Sequence, residues 1–140
     1  MKTKEKIIIK ILINSSIERV WEFWTKPEHI IKWNYASEDW HTTKAENDLR
    51  VGGKFLTRME AKDGSFGFDL EGIYDEIKDN EKLDYTLLDD RKVLIYFLQS
   101  KDGVEIIQNF EAEKENSIEL QKQGWQAILN NFKAYAEKKF

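Results

Sequence analysis

Acidic side chains and histidines are the residues of this sequence whose chemistry could support catalysis. Aspartate and glutamate together number 26, and histidine occurs twice. Asp69 and Glu71 alternate with Phe68 and Leu70, so the period of two in a strand puts the carboxylates on the face opposite the apolar side chains. We therefore predict that both carboxylates face solvent and do not form an acid–base pair inside a pocket.

The two histidines stand in different settings. His41 follows Trp40 in a polar segment, and a histidine at the mouth of a pocket would suit general-base catalysis near neutral pH. An ordinary surface histidine is the simpler interpretation. His29 follows Pro27 and Glu28, and we expect it to be exposed.

Metal and thiol chemistry have little support in the sequence. The pairs His29 with Glu28 and His41 with Asp39 are too sparse for a metal site. The chain contains no cysteine, which excludes disulfides, thiolate metal sites, iron–sulfur clusters and a cysteine nucleophile. We predict no catalytic residue, no metal ligand and no cofactor.

The glycine pair Gly52-Gly53 does not form a phosphate loop. It leads into a strand-like pattern and lacks the spacing of glycines, lysine and serine or threonine that such a loop requires. Arg50, two residues earlier, has a structural interpretation, as a partner of Asp48 or of a helix C-terminus.

Aromatic side chains give a stronger signal. The 140 residues include five tryptophans, five tyrosines and eight phenylalanines. Aromatic residues cover a large area and lose little rotamer entropy when they are ordered. The sequence leaves two interpretations open: a heavily aromatic core, or a pocket lined by aromatic rings.

The periodicity of apolar residues predicts the elements that would position these rings. A strand at 5–13 is followed by two short helices, with capping patterns that begin at Ser15 and Thr25. A polar loop is expected at 34–48, and Gly72 is expected to mark a bulge or bend. Further strands are predicted at 54–59, 66–77, 83–88, 92–99 and 104–110.

A long helix closes the chain, from the cap at Asn116-Ser117 towards Phe140, with roughly 22 residues. Its apolar stripe consists of Trp125, Ile128, Leu129, Phe132 and Ala136. A glycine inside a helix costs roughly 1 kcal/mol relative to alanine. Gly124 should therefore either let a strand approach closely or leave space free.

This order of elements predicts one α+β domain over residues 1–140. A curved antiparallel sheet of about seven strands wraps round the long C-terminal helix. Aromatic side chains or a ligand must fill the gap between sheet and helix, and a pocket of several hundred Å³ would fit there. Asn131 is a further candidate for a polar anchor. The expected ligand-binding residues are Trp33, Trp40, Phe55, Thr57, Phe68, Leu70, Tyr85, Phe97, Gln108, Trp125 and Ile128.

Several motifs resemble one known family. They include DLRVGGKF at 48–55, KLDY at 82–85, GWQAIL at 124–129 and the early VWEFW at 20–24. In these motifs the chain is similar to the homologue-like family named after the activator of the heat-shock-protein-90 ATPase. That family belongs to the START-like, helix-grip (SRPBCC) superfamily, and the resemblance covers nearly the whole chain.

The resemblance implies a helix-grip fold with a hydrophobic cavity between the sheet and the C-terminal helix. Superfamily members bind lipids, hormones or polyketides, and a minority catalyse cyclisation or dehydration. We therefore expect a binding module for a small apolar or amphipathic molecule. The alternatives are a cyclase- or dehydratase-like enzyme that uses the same cavity, or a chaperone contact like that of the eukaryotic co-chaperone.

Charge and hydropathy bound the partners further. A formal net charge of −4 gives no basic field for nucleic acid. No apolar run approaches the roughly 20 residues that a membrane span needs, and the polar residues 1–6 do not read as a signal peptide. We expect a cytoplasmic protein without membrane insertion, either a monomer or a homodimer paired through an exposed edge strand.

Overall fold

The computed structural model describes residues 5–138, over which the chain forms seven strands and three helices. The strands are β1 (Lys6–Ile13), β2 (Trp40–Asn47), β3 (Lys54–Ala61), β4 (Gly67–Lys78), β5 (Lys82–Leu87), β6 (Lys92–Ser100) and β7 (Gly103–Glu111). The helices are α1 (Ile17–Thr25), α2 (Pro27–Trp33) and α3 (Ile118–Ala136). Residues 1–4 of the polar start and 139–140 of the predicted helix lie outside the described residues.

All seven described strands form one antiparallel sheet in the order β1-β7-β6-β5-β4-β3-β2. The sheet curls into a half-barrel, and the long helix α3 follows the last strand. The predicted α+β architecture, with two short helices after the first strand and a curved sheet around a C-terminal helix, is confirmed.

The segment predicted as a polar loop is in part a strand. β2 pairs with β3 along Trp40–Asn47, with a bulge between Thr42 and Lys44. β2 lies at the edge of the sheet and much of it is exposed. An edge strand with polar side chains carries little apolar alternation, which is the pattern from which strands are recognised.

The helix starts also differ from the capping patterns. Ser16 caps α1 and accepts a hydrogen bond from the Arg19 N–H, while α2 begins at Pro27 after Lys26, which makes no side-chain cap. The Thr25 hydroxyl instead donates to the Trp21 carbonyl, 2.7 Å away. Both helix starts were therefore predicted one residue too early: Ser16 caps α1 in place of its neighbour Ser15, and α2 starts at Pro27 without a side-chain cap.

The phase change in β4 occurs at Asp75, where the pairing with β5 shifts register, and not at the predicted Gly72. Tyr74 therefore stays on the inward face with Leu70 and is buried, while Ile73 is 37% exposed. Gly72 has another role: a Cβ there would lie 2.6 Å from the Phe55 ring. The absence of a side chain at Gly72 makes room for the Phe55 ring on the neighbouring strand.

The core lies between the inner face of the sheet and the helices. Leu129 and Phe132 of α3 are fully buried, as are Val104, Ile106 and Phe110 of β7. α3 runs along the β1 edge, where the Lys133 Nζ donates to the Leu12 carbonyl at 2.7 Å. The helix therefore sits over one side of the sheet.

The two short helices complete the helical layer, and α2 packs against β2 at the opposite edge of the sheet. Trp24 of α1 packs against Trp33, Phe132 and Phe97, with ring centroids 4.8, 4.9 and 5.7 Å away. The Trp33 indole N–H donates to the Phe23 carbonyl at 2.9 Å. This aromatic cluster fixes α1 and α2 against the core.

His29 connects α2 to α3, and the prediction that it is exposed is wrong. It is half-buried, stacks on Phe23 with centroids 4.2 Å apart, and lies 2.6 Å from the Tyr135 hydroxyl through Nδ1. These contacts give His29 a structural role between two helices.

Candidate ligand-binding cavity

A cavity of about 100 Å³ lies between the sheet and the helices. Its wall combines α2, the inner face of β2 to β5, Gln108 of β7 and the Trp125–Ile128 turn of α3. The wall is mainly apolar. An apolar cavity of this order is large enough for a single aromatic ring.

Eight of the eleven sequence-predicted site residues meet on this wall. They come from α2, four strands and α3, which the fold brings round one space. They are Trp33, Phe55, Thr57, Leu70, Tyr85, Gln108, Trp125 and Ile128.

The other three predicted residues lie outside the cavity. Phe97 belongs to the packed core, where its ring contacts Trp21 at 5.2 Å and Trp24 at 5.7 Å between centroids. Trp40 and Phe68 form a cluster with Phe66 at the end of β3 and β4, with centroid distances of 6.0 Å from Trp40 to Phe66 and 5.9 Å from Trp40 to Phe68.

Other wall residues were not found from the sequence. Met59 points inward with Phe55 and Thr57 along β3, so the alternation of this strand could have identified it. Tyr74 points inward from the paired strand β4. Asn34, Glu46 and Asn47 belong to the segment predicted as a polar loop, and the others lie in predicted helices or strands but were not among the expected site residues. The residues missed are Trp24, Ile30, Asn34, Glu46, Asn47, Met59, Tyr74 and Leu83.

The cavity is smaller than the several hundred Å³ expected, because large rings occupy much of the gap. Trp24, Trp33 and Trp125 all reach its wall. Trp125 stacks on Phe110 with centroids 3.8 Å apart and planes 9° from parallel. Both sequence interpretations of the aromatic excess therefore apply: the rings fill most of the interior and line what remains.

Gly124 leaves space free on the helix next to Trp125. A Cβ at Gly124 would meet no atom within 4 Å among the described residues. Of the two explanations for a glycine inside α3, a close strand approach is therefore wrong. Asn131, one turn beyond Ile128, is not a free anchor either, because its amide donates to the Tyr35 carbonyl.

Asn47 organises the polar part of the wall. Its Nδ2 donates to the Thr25 carbonyl at 2.6 Å, and its Oδ1 accepts from the Tyr74 hydroxyl at 2.6 Å. One side chain thereby ties β2 to the end of α1 and to β4. These polar atoms are satisfied within the protein.

Thr57 differs from Asn47. Thr57 and Gln108 are only 5% and 6% exposed. The Thr57 Oγ1 is buried and has no hydrogen-bond partner in the described part of the chain. Buried polar groups are nearly always paired, so the Thr57 hydroxyl is unusual. The Gln108 side chain lies on the same wall.

The wall is electrically neutral apart from one exposed carboxylate. Burial raises the pKa of Tyr74 well above its usual value despite the hydrogen bond to Asn47, and burial also raises the pKa of Tyr85. Both phenols are therefore neutral at physiological pH. Glu46 is exposed on the edge strand, and within the described part of the chain the wall contains no lysine, arginine, histidine or aspartate.

The residues first considered for chemistry lie elsewhere. Arg50 pairs with Asp48 at 2.9 Å in the turn between β2 and β3, as its structural interpretation predicted. Gly53 completes that turn, because a Cβ there would lie 2.1 Å from the Asp48 carbonyl oxygen. Asp69 pairs with Arg58 at 3.3 Å on the outer face of the sheet. The DLRVGG motif therefore encodes a turn.

Residues 5–138 contain neither a cluster of metal ligands nor a helix that could span a membrane. No three acidic, histidine or cysteine side chains of this part of the chain converge in a way that would hold a metal ion. None of its helices has the length and apolar character needed to cross a membrane.

Comparison with known proteins places the chain in a family. Residues 14–137 match the family model described as activator of Hsp90 ATPase homolog 1-like protein. The chain belongs to this family. The assignment agrees with the resemblance of the DLRVGG and GWQAIL motifs, and the matched residues span all three helices and nearly the whole sheet.

Similar solved structures agree with this assignment. The AHSA1-like protein from Aeromonas hydrophila is 42% identical, with 95% of this chain and 92% of that chain covered and a TM-score of 0.90. Chr148 from Cytophaga hutchinsonii is 48% identical over 94% of this chain and 92% of that chain, with a TM-score of 0.82.

A more distant structure shows the same fold. CV1439 from Chromobacterium violaceum is 24% identical over 96% of this chain and 99% of its own, with a TM-score of 0.86. No curated protein matches the chain. The AHSA1-like fold is thus well represented among solved structures, and it is compatible with the binding of a ligand between sheet and helix.

Proposed function

We propose that this AHSA1-like protein binds a small apolar or amphipathic molecule in the cavity between the sheet and α3. The observation that carries the proposal is an apolar hollow of about 100 Å³ in a core that is otherwise tightly packed. Protein interiors seldom keep voids larger than a water molecule, since each void forfeits packing energy. An apolar hollow that stays open in such a core therefore favours a binding role.

The shape of the wall supports a planar or compact ligand. The rings of Trp24, Trp33 and Trp125 offer flat apolar surfaces, and ligand pockets are typically apolar with a few polar groups that fix orientation. A single ring or a short branched chain fits the present volume. A longer ligand would have to extend towards the exposed side of β2.

Tryptophan fluorescence tests the proposal, since three of the five tryptophans line the cavity. Toluene is the probe, titrated up to its solubility limit with excitation of tryptophan alone. We expect a saturable change in emission for the wild type. The emission should change in this way only if toluene can enter the cavity.

A blocked variant gives the control. Ile128→Trp fills the hollow, whereas Leu120→Trp adds the same chromophore to α3 at a residue that is 56% exposed. Circular dichroism checks that both variants fold. We expect saturable binding to survive in Leu120→Trp and to disappear in Ile128→Trp. A wild type without saturable change, or equal titrations for both variants, contradicts the proposal.

A further inference from the structure

Thr57 stands out among the buried threonines. Thr25 and Thr42 are each 7% exposed, and their hydroxyls donate to the Trp21 carbonyl at 2.7 Å and the Asn34 carbonyl at 2.5 Å. Thr57 is 5% exposed, and no described residue pairs with its hydroxyl. The one unpaired hydroxyl of the three is the one on the cavity wall whose strand neighbours are Ala45 and Leu70.

An unpaired buried hydroxyl costs stability, because it loses its hydrogen bonds to water and gains none. Valine has nearly the same shape as threonine and avoids this cost. A threonine at this position is therefore unfavourable for the free protein unless something in the cavity pairs with it. The cost is offset when a bound molecule supplies the missing partner.

The neutral charge of the cavity wall limits the kinds of chemical group that could pair with the Thr57 hydroxyl. The wall offers neutral hydrogen-bonding groups from Thr57 and Gln108, and the tyrosines Tyr74 and Tyr85 stay protonated. Glu46, the single acidic residue on the wall, is exposed. A carboxylate brought into such a site would lose its hydration without meeting a cation. A hydroxyl, carbonyl or amide group would meet neutral partners.

We propose that Thr57 is the polar anchor of the cavity and that the ligand is an uncharged molecule with a hydroxyl, carbonyl or amide group on a compact apolar body. This inference rests on the proposed function and names the class of molecule that the cavity selects. Gln108, on β7, provides a second neutral group for the same molecule or for a polar substituent elsewhere on it.

Three probes of similar size separate the possibilities: toluene, benzyl alcohol and benzoate. They share a ring and differ in having no polar group, a neutral hydroxyl or a negative charge. Affinities are measured by titration of amide chemical shifts in the folded protein. For the wild type we expect benzyl alcohol to bind more tightly than benzoate by at least tenfold.

Thr57→Val tests the anchor directly. One hydrogen bond contributes a modest net free energy, so we expect the affinity for benzyl alcohol relative to toluene to fall roughly fivefold in this variant. The melting temperature of the free variant should rise, because an unpaired hydroxyl is replaced by a methyl group. Thr25→Val is the matched control: it removes a paired hydroxyl away from the wall, and should lower the melting temperature and leave the affinity ratio unchanged.

The outcomes separate the two proposals. Saturable toluene binding with the same affinity ratio in wild type and Thr57→Val overturns the anchor and leaves the cavity as a binding site; a hydroxyl that only holds a water would give this result. Benzoate binding as tightly as benzyl alcohol overturns the uncharged class. No saturable binding of any probe to the wild type overturns the proposed function, and the anchor with it.

Discussion

The two sides of the sheet's inner face are built from the same alternating pattern, yet one side is packed and the other is hollow. On the packed side, Val104 and Ile106 of β7 and Leu129 and Phe132 of α3 belong to one hydrophobic core, and all four are fully buried. On the hollow side, Leu70 of β4 is only half-buried and faces the cavity, although it occupies an equivalent inward position.

The position of α3 explains this difference. The helix is held along β1 by Lys133, whose Nζ donates to the Leu12 carbonyl. β1 and β2 are the two edges of a curled sheet. The long helix α3 fills the gap along β1, whereas the shorter α2 packs against β2 and leaves the gap there partly open. The alternation of apolar residues in a strand therefore determines which side chains point to the inner face of the sheet. The position of the helices determines whether that part of the face becomes core or cavity wall.

The same leucine-to-alanine substitution on each side should give the largest difference in stability. Leu129→Ala removes a fully buried side chain and should lower the free energy of unfolding by about 3–4 kcal/mol. Leu70→Ala should cost only about 1 kcal/mol, because its site already borders a hollow and solvent. Urea denaturation measures both. Equal losses would mean that the hollow side is packed as tightly as the core.

Two glycine-to-alanine substitutions should change the stability of the protein in opposite directions. A Cβ at Gly103 would lie 2.1 Å from the Ile13 carbonyl oxygen, and its φ of +132° disfavours a side chain. Gly103→Ala should therefore cost about 2 kcal/mol or more. A Cβ at Gly124 meets no described atom within 4 Å, so Gly124→Ala should raise stability by roughly 1 kcal/mol. Thermal unfolding measures both changes in stability, and a lower melting temperature for Gly124→Ala would show that the space beside Gly124 is occupied.

Asn47 should be the most important polar side chain of the hollow side. Asn47→Ala leaves both the Thr25 carbonyl and the Tyr74 hydroxyl without their partner, and should lower stability by about 2 kcal/mol. Tyr74→Phe removes one of these two hydrogen bonds and should cost roughly half as much. If the two variants unfold alike, the bond to Thr25 contributes nothing to holding β2 against α1.

Glu137 gives a smaller, pH-dependent effect on the packed side. Burial pushes the pKa of its carboxyl up, but the Asn14 N–H and the Lys133 ammonium outweigh burial and hold the pKa below its usual value. A lowered folded-state pKa gives stability that is present above the ordinary glutamate pKa of roughly 4.3 and is lost as the pH falls through the folded-state value.

We therefore expect Glu137→Gln to cost less than about 1 kcal/mol at pH 7, since the group is partly exposed. The difference from the wild type should shrink as the pH falls below about 4. Urea unfolding at several pH values measures it. A constant difference across that range would show that the charge of Glu137 does not contribute.

The sequence predicted the packed side better than the hollow side, for a physical reason. The stripe of α3 and the strands β6 and β7 carry strong apolar periodicity, because most of their inward side chains are buried in the core. β2 at the exposed edge has no such periodicity, so Trp40 was placed in a loop and Asn47 was missed. Phe97 and Leu70 have equivalent patterns in sequence, and only the location of α1 and α3 puts Phe97 in the core and Leu70 on the cavity wall.

Polar candidates illustrate the same limit. The alternation of β3 and β7 was enough to turn Thr57 and Gln108 inward, and the structure has both side chains on the wall. The sequence offered Asn131 on equal terms, yet its amide is used by the Tyr35 carbonyl. Whether a polar group is free depends on a partner distant in the chain, which local periodicity does not encode.

The most direct test of the account is the detection of intermolecular nuclear Overhauser effects between bound toluene and the protein. The account predicts contacts from the ring protons to the methyl groups of Met59, Leu70 and Ile128, all on the cavity wall. Contacts confined to the exposed cluster of Trp40, Phe66 and Phe68, or no contacts at saturating probe, would contradict the claim that the hollow side of the sheet is the binding site.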